Sequence, residues 1–159
     1  MALDTTALNS AGIGAGTAVQ AAVEGRANIF EMTQAAEEAV LRPKDAGPWS
    51  HDLRAALAAR IAKLNDEAEL AARYAADAGK FAALVDPTGN GTAQGLAEVV
   101  GFMDKVAADT RRVAGADISA LQSAGVADAD IVRLAELNAF LAYQIRVIAG
   151  LRLMKGMSA

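Results

Sequence analysis

Cysteine is absent from the 159 residues of this chain, and histidine occurs once, at His51. The lack of cysteine excludes disulfide bonds, thiolate zinc sites, iron–sulfur ligation and every catalytic cycle that uses a thiol. A single histidine also excludes metal sites built from several imidazoles. We therefore expect neither a metal site nor a cofactor.

Proline and aromatic residues are scarce as well, at 3 residues and 4%, while hydrophobic residues make up 53% of the chain. The core must then consist mainly of Ala, Leu, Val and Ile, whose small side chains allow backbones to approach closely. Because Ala is the strongest helix former, this composition predicts an all-α fold. The length is that of one ordinary domain.

Positive charge is in slight deficit, with 15 Lys and Arg against 19 Asp and Glu, for a net charge of −4. Such a surface has no excess cations to neutralise phosphates, so no nucleic-acid partner is expected. No uninterrupted apolar run approaches the ~18 residues of a membrane-spanning helix, and the start shows no secretory signal pattern. We expect a cytoplasmic protein without a membrane partner.

Apolar spacing and turn residues divide the chain into predicted helices. The glycine-rich start is expected to be flexible. A helix over 27–41 should place Glu37 and Glu38 on its solvent side and end before Pro43. Ser50, Asn65 and Thr92 are expected to cap the helices that follow them. The predicted helices cover about 17–23, 27–41, 51–64, 66–78, 93–114, 118–123 and 129–154.

The last predicted helix, over 129–154, is apolar on most faces, which is typical of a helix at the centre of a bundle or between subunits. Gln144 and Arg146 interrupt its apolar sequence. A buried arginine must be paired, because an isolated buried charge is very costly. Arg146 is therefore expected to meet Glu136, a carboxylate across a subunit boundary, or a ligand anion.

Two segments carry a resemblance to a known family. They are "NDEAELAARY" at 65–74 and "LQSAGVADADIVRLAELNAFLAYQIRVIAGL" at 121–151. With the apolar helix before them, they resemble the AhpD-like, or carboxymuconolactone decarboxylase (CMD), superfamily, within its branch of peroxidase-related or CMD-domain proteins. The resemblance covers about 50–153. It implies an AhpD-like helical bundle in 50–159 and an N-terminal helical extension in 1–49.

Superfamily members with alkylhydroperoxidase activity carry an Asn-x-Cys-x-x-Cys-x-x-x-His signature, in which one cysteine attacks peroxide and the other resolves it. Laid on Asn65, the signature puts Glu67 and Leu70 at the cysteine positions and Tyr74 at the histidine position. The glutamate of the preceding helix falls near Ala55. The resemblance therefore implies the frame of a redox site without its redox residues.

The substituted positions form one candidate site. Glu67, Leu70 and Tyr74 share a helical face, so a small pocket with an acid, an apolar wall and a phenol is conceivable; capping and core packing are the favoured interpretation. His51, Tyr143 and Arg146 are candidate ligand-binding residues. For His51 a structural or solvated role is favoured, since no catalytic partner is evident in the sequence.

Two functions stay open at this point. The first is a non-peroxidatic AhpD-like protein, a homo-oligomer of dimers or a single dimer, with a binding or assembly role. The second is a cysteine-independent CMD-type enzyme that acts on a small lactone or acid by proton transfer, although the CMD motif around a catalytic histidine is missing here. Either could hold a small-molecule ligand. A third interpretation, an unrelated helical interaction module, requires the resemblance to be coincidental.

Overall fold

The computed structural model describes residues 3–157, in which the regular secondary structure is entirely helical. The predicted all-α fold class is therefore confirmed. Three 3-10 segments, Gly79–Val85, Thr92–Gln94 and Thr110–Arg112, lie between helices. The α-helices are α1 (Thr6–Ala11), α2 (Ala18–Glu24), α3 (Ala27–Leu41), α4 (His51–Leu64), α5 (Ala68–Ala75), α6 (Ala97–Ala108), α7 (Gly115–Ser123) and α8 (Asp128–Met157).

Helix α4 is the centre of the fold. Every residue from 53 to 62 is buried, and half of this stretch is alanine. Because alanine keeps the helix narrow, α3, α5, α6, α8 and the first 3-10 segment all pack directly against it. Buried side chains from α1 to α3 belong to the same core as those from α4 to α8. The predicted boundary near residue 49 stays a prediction.

Two buried arginines of α4 organise the loops around it. Arg54 donates to the backbone carbonyls of Val40, Ala46 and Trp49, at 2.8–3.0 Å. Burial lowers the pKa of Arg54, and no carboxylate bonds to its guanidinium among the described residues. Trp49 is itself anchored by its indole N–H on the carbonyl of Asp130, at 2.9 Å. The loop between α3 and α4 is thus held against α4 and α8.

Arg60 is almost fully buried and uses all of its donors. Nε and Nη2 donate to the two carboxylate oxygens of Asp104 at 2.6 and 2.7 Å. The same guanidinium donates to the carbonyls of Leu84, Asp86 and Pro87 at 2.8–3.0 Å. A buried cation is tolerated only with such partners. Arg60 therefore fastens α6 and the turn after the first 3-10 segment to the central helix.

Part of the start that is predicted to be flexible forms α1, so the prediction is wrong for residues 5–12. The Thr5 side chain caps α1 by accepting from the amide of Leu8, and Gly12 ends the helix with a left-handed φ of 66°. Most of α1 is buried against α8. Arg152 of α8 donates to the carbonyl of Ser10 at 2.8 Å. The sequence does not predict this helix, because its stability comes from tertiary packing and not from its own length.

Helix boundaries agree best where the sequence carries strong stop signals. Helix α3 covers the predicted residues at both ends. Helix α6 begins at Ala97, later than predicted, because Gly95 in a left-handed conformation ends a separate 3-10 turn first. The Thr92 side chain therefore does not cap α6. Ser50 lies at the N-cap position of α4, yet its hydroxyl bonds to Asp52 instead of capping.

Helix α8 is the longest helix and lies at the side of α4. By length and composition alone, its residues 128–156 could cross a membrane, with 44% of the most apolar window buried inside the fold. Core helices of soluble proteins pass the same test. One face of α8 packs on α1, α3, α4 and α6. The opposite face is exposed along its whole length.

Candidate functional site

The segment 65–74, on which the sequence analysis lays the redox signature, begins at a turn. Asn65 follows the last residue of α4, and its side-chain nitrogen Nδ2 donates back to the carbonyl of Ile61 at 2.9 Å. Asp66 has a φ of 59°, the only positive value of a non-glycine residue in the described chain. Glu67 is the N-cap residue of α5. The prediction that Asn65 caps the next helix is therefore wrong, because its side chain bonds to the preceding one.

Glu67 is buried and forms an ion pair with the far end of α8. Both of its carboxylate oxygens accept from Nη1 of Arg152, at 2.9 and 2.7 Å. Through its bond to Ser10, the same guanidinium also reaches α1. The side chain of Glu67 makes no capping hydrogen bond to α5. At this signature position the structure has an acid that ties three helices together.

Leu70 and Tyr74 complete the signature positions and are buried too. Leu70 is 0% exposed and Tyr74 is 3% exposed, so the two offer almost no surface to a ligand. The Tyr74 hydroxyl donates to Oε1 of Gln144 at 2.6 Å. Glu67 and Tyr74 thus contact α8 at positions eight residues apart, roughly 12 Å along the helix. The two side chains therefore make separate contacts with α8.

Tyr74 belongs to a buried hydrogen-bonded group, which we call the Glu37 cluster: Thr6, Glu37, Tyr74 and Gln144. Nε2 of Gln144 donates to Oε2 of Glu37 at 2.6 Å. The hydroxyl of Thr6 donates to Oε1 of Glu37 at 2.8 Å. All four side chains are at most 3% exposed. The cluster joins α1, α3, α5 and α8 around one carboxyl group.

The cluster has no cation among its four members. Burial raises the pKa of Tyr74, and the nearby charge of Glu37 raises it further. The phenol therefore keeps its proton at neutral pH and serves as a donor. Within residues 3–157, no buried side-chain nitrogen or oxygen lacks a hydrogen-bond partner. Such a saturated network stabilises one arrangement of the core.

Glu37 corrects the sequence analysis most clearly. It was expected on the solvent side with Glu38, but it is 1% exposed, whereas Glu38 is exposed and pairs with Arg42. The signal was present in the sequence. Phe30, Thr33, Glu37 and Leu41 follow one another at spacings of three, four and four, and they are the buried residues of α3. An acid on the same helix face as Phe30 and Leu41 indicates a buried polar contact.

The candidate ligand-binding residues His51 and Tyr143 lie apart from the signature positions. His51 is exposed at the start of α4, with Nε2 3.0 Å from the carbonyl oxygen of Pro43. Tyr143 is 42% exposed, and its hydroxyl is 2.9 Å from the hydroxyl of Thr33. Its ring centroid lies 6.3 Å from that of Phe140. Neither residue lies in the Glu37 cluster.

Arg146 is exposed, so the prediction that it is buried is wrong. The apolar sequence of α8 does not reveal which face the chain itself covers, and Arg146 is on the open face. A contact with Glu136 within the chain is ruled out, because ten residues of helix separate the two by about 15 Å. Arg146 borders a small cavity of about 80 Å³ that Asn65 and Asn138 also line.

A depression of about 570 Å³ lies between the start of the chain and α3. Four acids line it, Asp4, Glu24, Glu31 and Glu38. Three of them already bond within the fold, Asp4 to Asn9, Glu24 to Gln20 and Glu38 to Arg42. No group of three potential metal ligands occurs within the described residues.

No model of a protein family, no curated protein and no solved structure matches this chain.

Proposed function

We propose that this chain is a non-peroxidatic protein of the AhpD-like superfamily, a cytoplasmic homo-oligomer with a binding or assembly role. One observation carries the proposal: the two cysteine positions and the histidine position of the signature are occupied by buried side chains that already have an internal role. Glu67 pairs with Arg152, Leu70 is core, and Tyr74 bonds to Gln144.

The chemistry of these positions supports the same conclusion. A peroxidatic site needs an accessible thiolate, a second thiol to resolve it and a proton relay. The chain has no cysteine. The phenol of Tyr74 has a raised pKa and donates a hydrogen bond to an amide oxygen, so it is a poor general base. What remains at the frame is a helix junction that contributes to stability.

A coupled peroxidase assay tests this proposal. The purified protein, supplied with a dithiol reductant and an organic hydroperoxide, should consume no more peroxide than buffer does. A Glu67→Cys/Leu70→Cys double variant is the matched comparison, and it should also show little activity because Ala55 and Tyr74 supply no proton relay. Steady peroxide consumption that scales with the wild-type concentration would refute the proposal. A mass in solution above the 16.3 kDa of one chain is expected.

A second candidate is a cysteine-independent enzyme that acts on a small lactone or acid by proton transfer. The buried carboxyl group of Glu37, bonded to neutral donors only, is the observation that favours it. Substrate would have to displace α1, because Thr6 covers this group. A panel of small lactones and carboxylic acids tests the idea. This candidate would replace the first if the wild type turns over such a substrate, Glu37→Gln abolishes the turnover, and the exposed control Glu38→Gln retains it.

A further inference from the structure

The open face of α8 carries a regular stripe of exposed residues. They recur at alternating spacings of three and four, which is the a/d pattern of a coiled coil. We call them the α8 stripe, and each of them is exposed to solvent in the single chain. The stripe consists of Ala129, Val132, Glu136, Ala139, Tyr143, Arg146, Gly150 and Leu153.

The composition of the α8 stripe is unusual for a solvent-facing surface. Val132 is 54% exposed and Leu153 is 71% exposed. Only Glu136 and Arg146 are charged, over a length of about 36 Å at 1.5 Å per residue. Large apolar side chains exposed along one helix face are typical of an interaction site.

The stripe is complementary to itself when it is turned end for end. Reversal about the level of Leu141 pairs each a position with a d position, as in antiparallel coiled coils. Small residues then face large ones, and the acid faces the base. The pairs are Ala129 with Leu153, Val132 with Gly150, Glu136 with Arg146, and Ala139 with Tyr143.

We propose that α8 packs antiparallel against α8 of a second copy of this chain, about a twofold axis at the level of Leu141. Each copy then supplies Glu136 to Arg146 of the other copy, so one interface contains two such ion pairs. The inference rests on the proposed assembly role and specifies its surface. Arg146 thereby obtains a carboxylate partner across a subunit boundary.

Other occupants of this face fit less well. In a parallel pair, identical positions meet, so Glu136 would face Glu136 and Arg146 would face Arg146. A lipid surface would receive both charges near the middle of the apolar stripe, where charged side chains are costly. Met32 of α3 is exposed and directly precedes Thr33, whose hydroxyl contacts that of Tyr143. Met32 therefore adds exposed apolar surface beside the α8 stripe. Only antiparallel self-association satisfies both the charges and the side-chain sizes.

Cysteine cross-linking tests the orientation, since the chain offers no competing thiol. Purified Ala129→Cys and Leu153→Cys chains are mixed, equilibrated and treated with the thiol oxidant diamide. The mixture should form a covalent dimer that contains one chain of each kind. Ala129→Cys alone should not cross-link, because the two copies of that position are about 36 Å apart and a disulfide spans under about 7 Å between Cα atoms.

Charge reversal tests the register. Glu136→Arg and Arg146→Glu should each weaken the dimer at least about tenfold in sedimentation equilibrium, because each places like charges together twice. The two substitutions combined should return the dissociation constant close to that of the wild type. Glu98→Arg and Arg111→Glu change exposed charges elsewhere and should leave it unchanged.

Gly150→Trp separates assembly from folding. A Cβ at position 150 meets no atom within 4 Å in the single chain, so the monomer should keep its helical circular dichroism. The added ring would collide with Val132 of the second copy, and a monomer should result. Gly101→Trp, at an equally open site in α6, is the control that should remain dimeric.

The outcomes distinguish this interface from the proposed function. A dimer that gives no mixed cross-link, or one in which Ala129→Cys alone cross-links, refutes the antiparallel stripe while leaving the non-peroxidatic assignment intact. A wild-type monomer at tens of micromolar, or one that binds anionic vesicles through α8, refutes the interface as well. Peroxide turnover by the wild-type chain, together with the mixed cross-link between the cysteine variants, would refute the function and leave the interface standing.

Discussion

Tyr74→Phe isolates one hydrogen bond at the core of the fold. The substitution keeps the buried ring and removes the hydroxyl that donates to Gln144 at 2.6 Å. The amide oxygen of Gln144 is then buried without that donor, since Gln144 is 0% exposed. An unsatisfied buried acceptor costs about 1–3 kcal/mol. We therefore expect the free energy of unfolding to fall by about that amount at neutral pH.

The same variant should change how stability depends on pH. Burial raises the pKa of Tyr74 above its ordinary value of 10.0, so above about pH 10 the unfolded chain loses this proton while the folded chain keeps it. The folded state then binds more protons, and the free energy of unfolding falls as pH rises. One such group contributes a slope of about 1.4 kcal/mol per pH unit. The stability that the buried phenol contributes is complete below pH 10 and decreases as pH rises above it. Tyr74→Phe should not show this alkaline decrease.

The assay is urea unfolding followed by far-ultraviolet circular dichroism, from pH 7 to 11.5 and at one protein concentration, because the chain is proposed to associate. Tyr143→Phe is the matched control. Its hydroxyl is partly exposed, and Thr33 keeps a second partner in the carbonyl of Ile29, so the loss should stay below about 0.5 kcal/mol. A Tyr74→Phe protein as stable as the wild type, with the same alkaline slope, would refute the cluster as described.

Three further substitutions test other parts of the fold. Arg60→Met should destabilise by about 3–5 kcal/mol, because it leaves a carboxylate and three carbonyls without their buried cation; a loss under about 1 kcal/mol in urea unfolding would contradict this. Arg152→Met should cost about 1–3 kcal/mol by leaving the buried Glu67 unpaired, and adding Glu67→Gln should recover part of it; no recovery in thermal melts would mean that the ion pair is unimportant. Gly91→Ala should cost about 2 kcal/mol or more, since its φ is 77° and the new Cβ would lie 2.6 Å from Val100; unchanged stability would show that this turn relaxes freely.

The elements that the sequence predicts well carry their own local signals. Helix α3 ends before Pro43, a residue that restricts the backbone of its predecessor, and the prediction is confirmed there. Helix α8 is confirmed as the longest helix. By contrast, α1 has only six residues and depends on burial against α8. No local pattern distinguishes such a short helix from a glycine-rich loop.

In the candidate site too, the sequence identifies single residues but not the distant contacts that fix their roles. Tyr74 was singled out, and its polar role is now clear, but its partner Gln144 is 70 residues away in the chain. The sequence predicts the wrong side of α3 for Glu37, because its neighbour Glu38 is also acidic and the pair suggests a solvent-facing surface. The donors that hold Glu37 in the core are Thr6 and Gln144, which are 31 and 107 residues away in the chain. Arg146 was expected to be buried for a related reason. Periodicity identifies an apolar helix, whereas only the assembled fold shows which face is covered.

The Glu37 cluster also bears on the order in which the chain folds. Its four members come from four helices, and each of its hydrogen bonds joins residues at least 31 positions apart. The loops between them must close before any of these bonds can form, so we expect the network to form after the helices have docked. Interactions that are absent from the folding transition state act on the unfolding rate and leave the folding rate almost unchanged. We therefore predict that the cluster acts on how long the native core persists once it has formed, and has little influence on how quickly the chain reaches it.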